Sequence, residues 1–160
     1  MQIRGAVPQE AFAGELPQGV TCVGIPTSVG VLTAAFIDEA VAGIAPEVES
    51  ASLVHEGSRA GDQPGSVPAL LVPGFTGSKE DFTPFLPYLA ERGRSACAYS
   101  QRGQADSAAP EGVENYRLAD FVGDLIEVAR AMGASERPIH LLCHCPASAA
   151  DRPLSAGKCH

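Results

Sequence analysis

The sequence predicts an α/β fold, a parallel sheet with flanking helices, and three observations carry that prediction. Short runs of apolar and small residues at 67–72, 94–99 and 138–143 have the form of strands buried on both faces. The stretches between them read as helices, and 117–132 repeats its apolar residues at helical spacing. Glycines stand where each helix should stop, at Gly93 and Gly133. Strand, helix, strand, helix, strand is the grammar of a parallel sheet with right-handed crossovers.

The composition sets the outer bounds. A chain of 160 residues favours one domain and is long enough to bury a real core. Apolar residues make up 45% and charged residues 19%, which is globular and not disordered. A net charge of -8 argues against nucleic acid, whose binding rests on clustered Lys and Arg, and favours a neutral or apolar small molecule. Five cysteines, at 22, 97, 143, 145 and 159, form no evident disulfide ladder and suit reduced thiols. The first residues lack the basic and apolar segments of a secretory signal. The apolar region 29–45 is interrupted by Asp38 and Glu39, too short to span a membrane. A cytoplasmic protein that binds no membrane is the expectation.

Residues 1–66 read as an N-terminal extension. A short strand is expected at 19–25, closed by Pro26. Ser28 then caps an expected helix with Leu32, Ala35, Phe36, Val41 and Ile44 on its apolar side, ended by Pro46. A further strand is expected at 51–55, and 56–68, rich in Gly, Ser, Pro and Asp, reads as a loop. His55 beside Glu56 reads as a loop-edge histidine.

From residue 67 the pattern sharpens. After the first strand, Pro73-Gly74-Phe75-Thr76-Gly77 is a turn whose glycines permit close backbone approach. Ser78 is placed to cap the next turn, with Glu80 and Asp81 favourable at its start. A helix is expected over 84–92, burying Phe85, Leu86 and Leu89. The segment Leu71-Val72-Pro73-Gly74-Phe75-Thr76-Gly77-Ser78 resembles the His-Gly-x loop of the α/β-hydrolase superfamily, with Pro73 in place of the histidine. The resemblance implies that the Phe75 backbone N–H is an oxyanion donor, a group whose loss typically costs about a hundredfold or more in rate. A phosphate loop is the competing reading of Gly74-Phe75-Thr76-Gly77-Ser78-Lys79. It fails on spacing, because that pattern needs four residues between its glycines and Ser or Thr after the lysine.

The second strand, 94–99, buries Cys97 as a small core residue. Ser100-Gln101-Arg102-Gly103-Gln104-Ala105-Asp106-Ser107 then resembles the superfamily's Asp-x-Arg-Gly-x-Gly-x-Ser loop, with Ser100 and Ala105 replacing aspartate and the second glycine. The resemblance implies that Arg102 organises the loop and is not a substrate clamp. In the helix 117–132, Leu118, Phe121, Val122, Leu125, Ile126, Ala129 and Met132 share one face. Asp120, Asp124 and Glu127 fall on the other and read as a solvated face.

The third strand runs into Leu142-Cys143-His144-Cys145-Pro146-Ala147, which resembles the superfamily's Gly-x-Ser-x-Gly nucleophile elbow, with Cys143, Cys145 and Ala147 at the glycine, serine and glycine positions. The resemblance covers 68–145 and implies hydrolysis of an ester, amide or related bond, without a cofactor, by Cys145 as nucleophile. Thiolate is the attacking form, and a helix N-terminus at the elbow favours it. Three features oppose activity. Pro146 has no N–H to serve as the second oxyanion donor. Only Asp151 and His160 follow as acid and histidine. The stretch after the elbow is a poor helix. The expectation is therefore a truncated α/β-hydrolase fold: core 67–147, divergent tail 148–160, inactive as this chain, with the elbow strand at a sheet edge open to a protein partner or self-association. An active cysteine hydrolase is the alternative, as is a non-catalytic partner-binding fragment. A metal site at Cys143, His144, Cys145, Cys159 and His160 is disfavoured, because zinc pairs are usually spaced by two to four residues and neighbours on a strand point to opposite faces.

Overall fold

A computed structural model describes residues 2–10, 14–38 and 67–144. Among these residues the chain forms strands β1 (Val7–Pro8), β2 (Thr21–Thr27), β3 (Gly30–Ile37), β4 (Ala69–Val72), β5 (Ala96–Tyr99) and β6 (His140–Cys143). Two α-helices accompany them, α1 (Leu86–Glu91) and α2 (Leu118–Ala131). The strands make one sheet in the order β1-β2-β3-β5-β4-β6. β5, β4 and β6 are mutually parallel, as the strand–helix alternation requires, with Leu70 opposite Cys97 on one side and Leu141 on the other. β1, β2 and β3 join them antiparallel, so the whole sheet is mixed.

The helix expected after Ser28 is instead the second arm of a β-hairpin. β2 and β3 pair along their length from Thr21↔Phe36 to Thr27↔Gly30, leaving Ser28 and Val29 as the turn. Thr27 Oγ1 donates to the Gly30 carbonyl at 2.8 Å and closes it. The physical reason lies outside the segment. β3 is apolar on both faces because helices cover both sides of the sheet, and its far edge is taken by β5 from Ala34↔Tyr99 to Ile37↔Ala96. A continuous apolar run supports either element, and non-local pairing selected the strand. The remainder of that expected helix and the expected strand and loop at 51–66 lie outside the described residues.

Alternation along the strands splits the interior into two cores. Ala69 and Leu71 of β4, Ala96 and Ala98 of β5, and Ala35 and Ile37 of β3 pack with Leu86 and Ala90 of α1. Leu70 and Val72, Cys97 and Tyr99, and Leu32 and Ala34 face the other way, onto Val128 of α2 and Met132 at its end. The first helix is shorter than expected. A 3₁₀ turn, Thr83–Phe85, precedes α1, which places both Pro84 and Pro87 at first-turn positions where a missing N–H costs nothing. α2 begins and ends close to where its periodicity predicts. Gly133, at φ +91°, closes it, its N–H donating to Arg130 while the Ala134 N–H reaches the Ala129 carbonyl.

The faces of α2 differ from expectation. Asp124 and Val128, continued by Met132 just past its end, form its buried stripe, whereas Leu118, Val122 and Ile126 are exposed. Asp124 is 1% exposed and belongs to no solvated face, because it meets Arg102 (8% exposed). Arg102 Nε donates to Asp124 Oδ2 and Nη2 to Oδ1, both at 2.7 Å, a bidentate pair. The remaining donors reach the Asn115 carbonyl at 2.6 Å and the Asp120 carbonyl at 3.2 Å, and the guanidinium lies 6.0 Å from the Phe121 ring centroid. Arg102 thus ties its loop to α2.

Candidate active site

The carboxyl ends of β4 and β6 open onto a cavity of about 570 Å³. Its lining comes from the loop after β4 (Val72, Pro73, Gly74, Phe75), from Gln101 after β5, from Leu118 and Phe121 of α2, and from Cys143 and His144. Clefts at the carboxyl ends of parallel strands are where open α/β sheets bind ligands. The walls are largely apolar, and the polar groups sit at the mouths of the strands.

Phe75, the expected oxyanion donor, lies on this wall with its side chain 80% exposed. Among the described residues its backbone N–H makes no hydrogen bond. The loop is nonetheless well held. The Gly77 N–H donates to the Gly74 carbonyl at 3.0 Å and closes a tight turn. The Ser78 N–H donates to Asp81 Oδ2 at 3.2 Å, so Ser78 begins the next turn as its sequence suggests. From the loop after β5, Gln101 Nε2 donates to the Pro73 carbonyl at 2.9 Å. Gln104 Nε2 donates to the Gly74 and Phe75 carbonyls at 3.0 and 2.9 Å.

A second network backs the first. Lys79 is 1% exposed, and its ammonium donates to Asp106 Oδ1 at 2.5 Å and Thr33 Oγ1 at 3.2 Å, with Glu80 Oε1 at 2.8 Å. Its backbone N–H donates to Ser100 Oγ at 3.1 Å, and Ser107 Oγ donates to the Ser100 carbonyl at 2.7 Å. Ser100, standing where the resemblance expects aspartate, therefore accepts a backbone bond that joins the two loops. Burial pushes the Asp106 carboxyl up, but the hydrogen bonds from Lys79 and Thr33 and the Lys79 charge outweigh it and leave the group below the ordinary carboxylate value.

Ala105, standing where the loop pattern has glycine, adopts φ +47°. A side chain in this left-handed region costs about 1–2 kcal/mol. Ala105→Gly is therefore expected to raise stability by about 1 kcal/mol after the larger chain entropy of glycine is set against the relieved strain. A urea midpoint that falls would contradict it. Gly103 nearby, at φ +73°, cannot be replaced as freely, because a Cβ there would meet Tyr116 Cε1 at 2.8 Å.

Of the residues singled out in the sequence, the structure brings Phe75, Cys143 and His144 to one cavity. Cys145, Pro146, Asp151, Cys159 and His160 lie outside the described residues. Cys97 is buried between the sheet and α2, and burial pushes its thiol up to about 12, which makes it a core residue without nucleophilic character. The described residues contain no cluster of three His, Cys, Asp or Glu able to hold a metal ion, and no helix among them is long and apolar enough to cross a membrane. Gln101 and Gln104 escaped the sequence reading, because a glutamine in a loop carries no periodic signal.

Among the described residues β6 is the outer strand of the sheet, and each of its residues is exposed. Its Leu141 and Leu142 are half-exposed, as a strand with one neighbour among the described residues would be.

No protein-family model and no curated protein sequence matches the chain. Solved structures do. An epoxide hydrolase from an endophytic Streptomyces is similar at 25% identity and a TM-score of 0.58, over 81% of this chain and 30% of that one. An epoxide hydrolase from Vigna radiata matches at 19% identity and 0.56, over 80% and 32%. An α/β hydrolase from Novosphingobium aromaticivorans matches at 18% and 0.53, over 81% and 35%. The chain spans about a third of the length of each. Together with the sheet order, the crossovers and the loops at the carboxyl ends of the strands, these likenesses give the chain the fold of the α/β-hydrolase superfamily.

Proposed function

We propose that this chain supplies the oxyanion side of a hydrolase active site and is inactive alone. The observation that carries the reading is the Phe75 N–H, without a hydrogen-bond partner among the described residues, on a cavity at the carboxyl ends of β4 and β6. A substrate carbonyl placed there would rest its oxygen against that donor as negative charge develops. In the ester case, a thiolate at Cys145 adds to the carbonyl carbon and the bond to the leaving alcohol breaks. The alkoxide takes a proton equivalent to the one the thiol gave up, and water then cleaves the thioester to acid and thiol. Among the described residues, the cavity lining includes no carboxylate. Among the described residues β6 is the exposed outer strand, which supports a role for a protein partner or a second copy at that edge.

The similar epoxide hydrolases make an epoxide a second substrate to assay beside esters. The test measures turnover of p-nitrophenyl butyrate and styrene oxide by the purified chain and by Cys145→Ala. No difference between the two is expected. Turnover lost in Cys145→Ala would instead establish the alternative, an active cysteine hydrolase. Alkylation supplies a further check: on the reading of inactivity, iodoacetamide labels Cys145 no faster than an ordinary exposed thiol, and buried Cys97 more slowly than either. Accelerated labelling of Cys145 at neutral pH would count for an activated nucleophile.

A further inference from the structure

Three consecutive carbonyls of the loop after β4 accept hydrogen bonds from two glutamines of the loop after β5. Gln101 holds the Pro73 carbonyl, and Gln104 holds those of Gly74 and Phe75. Gln104 is itself oriented, since its Oε1 accepts the Gln101 N–H at 3.0 Å. Its amide therefore turns the nitrogen, not the oxygen, toward the neighbouring loop. The loop carrying the glutamines is anchored in turn by Arg102 on Asp124 and by Ser107 on the Ser100 carbonyl. The chain has thus placed a rigid pair of donors against one face of the turn.

The consequence for the site follows from peptide geometry. Every described peptide bond is trans, and in a planar trans peptide the C=O and N–H point in opposite directions. The Gly74 carbonyl and the Phe75 N–H belong to the same peptide. Aiming that carbonyl at Gln104 sends the Phe75 N–H away from it. Gln104 does not line the cavity, whereas Gly74 and Phe75 do. The Gly77 N–H contributes as well, because the hydrogen bond it donates to the Gly74 carbonyl fixes the internal shape of the turn. What that bond cannot do is fix the turn relative to the rest of the sheet. The glutamines instead tie the turn to the loop after β5, and the Phe75 carbonyl is held by Gln104.

We infer that Gln104, supported by Gln101, is a positioning residue that aims the Phe75 N–H at the oxyanion position. This rests on the proposed role of Phe75. Gln104 touches no substrate in this assignment and acts through the peptide it holds.

The test uses the full chain, uniformly labelled with ¹⁵N, and titrates it with butyrate, the carboxylate that would result from butyrate-ester hydrolysis. In the unaltered chain the Phe75 amide resonance is expected to shift downfield and to saturate. In Gln104→Glu, which keeps the shape but replaces the donor, the apparent affinity read at Phe75 should fall tenfold or more while amides of β2, β3 and α1 keep their positions. Gln104→Met, of similar length and without charge, should show the same loss and separates lost positioning from repulsion of the anion by the new carboxylate. Unchanged butyrate affinity at Phe75 in Gln104→Met would overturn the positioning role and leave the oxyanion reading standing. Absence of any Phe75 shift in the unaltered chain would overturn the oxyanion reading and this inference with it.

Discussion

Asp124→Ala is expected to destabilise the folded chain by about 3–5 kcal/mol, the usual consequence of removing one partner of a buried ion pair. The carboxylate is 1% exposed and takes two hydrogen bonds from an arginine that is 8% exposed. Without it, the Arg102 guanidinium keeps the Asn115 and Asp120 carbonyls but loses its buried counter-charge, and Asp120 Oδ1 stands 3.9 Å away on the partly exposed side. Much of the loss is the burial of an unpaired charge, so the pair itself is not worth that amount. Arg102→Met combined with Asp124→Leu should therefore recover a large part of the stability that either single change removes. Urea unfolding followed by circular dichroism measures both. A loss under 1 kcal/mol for Asp124→Ala would mean that water reaches the guanidinium.

Lys79→Met should cost about 2 kcal/mol at pH 7. It also removes a buried partner, but Asp106 and Glu80 keep roughly a quarter of their surface in water, and solvent takes over part of what the ammonium supplied. The pH dependence gives this prediction its signature. Asp106 has a folded-state pKa below its ordinary value of 3.8. Its contribution is present above the ordinary value and is lost as pH falls through the lowered one. The stability gap between the original chain and Lys79→Met should accordingly narrow between about pH 4 and the lowered folded-state value. A gap that stays constant from pH 7 to pH 2.5 would assign the effect to lost packing of the lysine stem. Because the Lys79 ammonium also links to Thr33 of β3, its removal should loosen the loop that carries Phe75, although the bond from the Lys79 backbone N–H to Ser100 is kept.

Both predictions concern groups whose role could not be read from their immediate neighbours in the chain. Asp124 sits among the carboxylates of an amphipathic helix, and a helical wheel separates apolar from polar without revealing a partner. Its partner lies 22 residues earlier, in a loop. Lys79 follows Ser78 at the start of a short turn and has the sequence of an exposed charge. It is buried because β3 and the loop after β5 close over it, bringing together residues 33, 79 and 106. Such placements depend on which elements become neighbours in space.

By itself, the sequence determined β4, β5 and α2, the crossover order, and the two loops at the carboxyl ends of the strands. Those features follow from local apolar runs, helical period and turn residues, which act over a few neighbours. Tertiary structure decided the rest. It made β3 a strand by pairing it with β2 and β5, where an apolar run alone allowed a helix. It rotated α2 so that Asp124 faces inward and Leu118, Val122 and Ile126 face out, because the width of a helix's apolar surface does not fix which stripe meets the sheet. It set Gln101 and Gln104 against the Pro73–Phe75 carbonyls, a contact between loops that meet only when β4 and β5 lie side by side. Hydrophobic pattern is a property of the segment, whereas hydrogen-bond and ion-pair partners are properties of the assembled sheet.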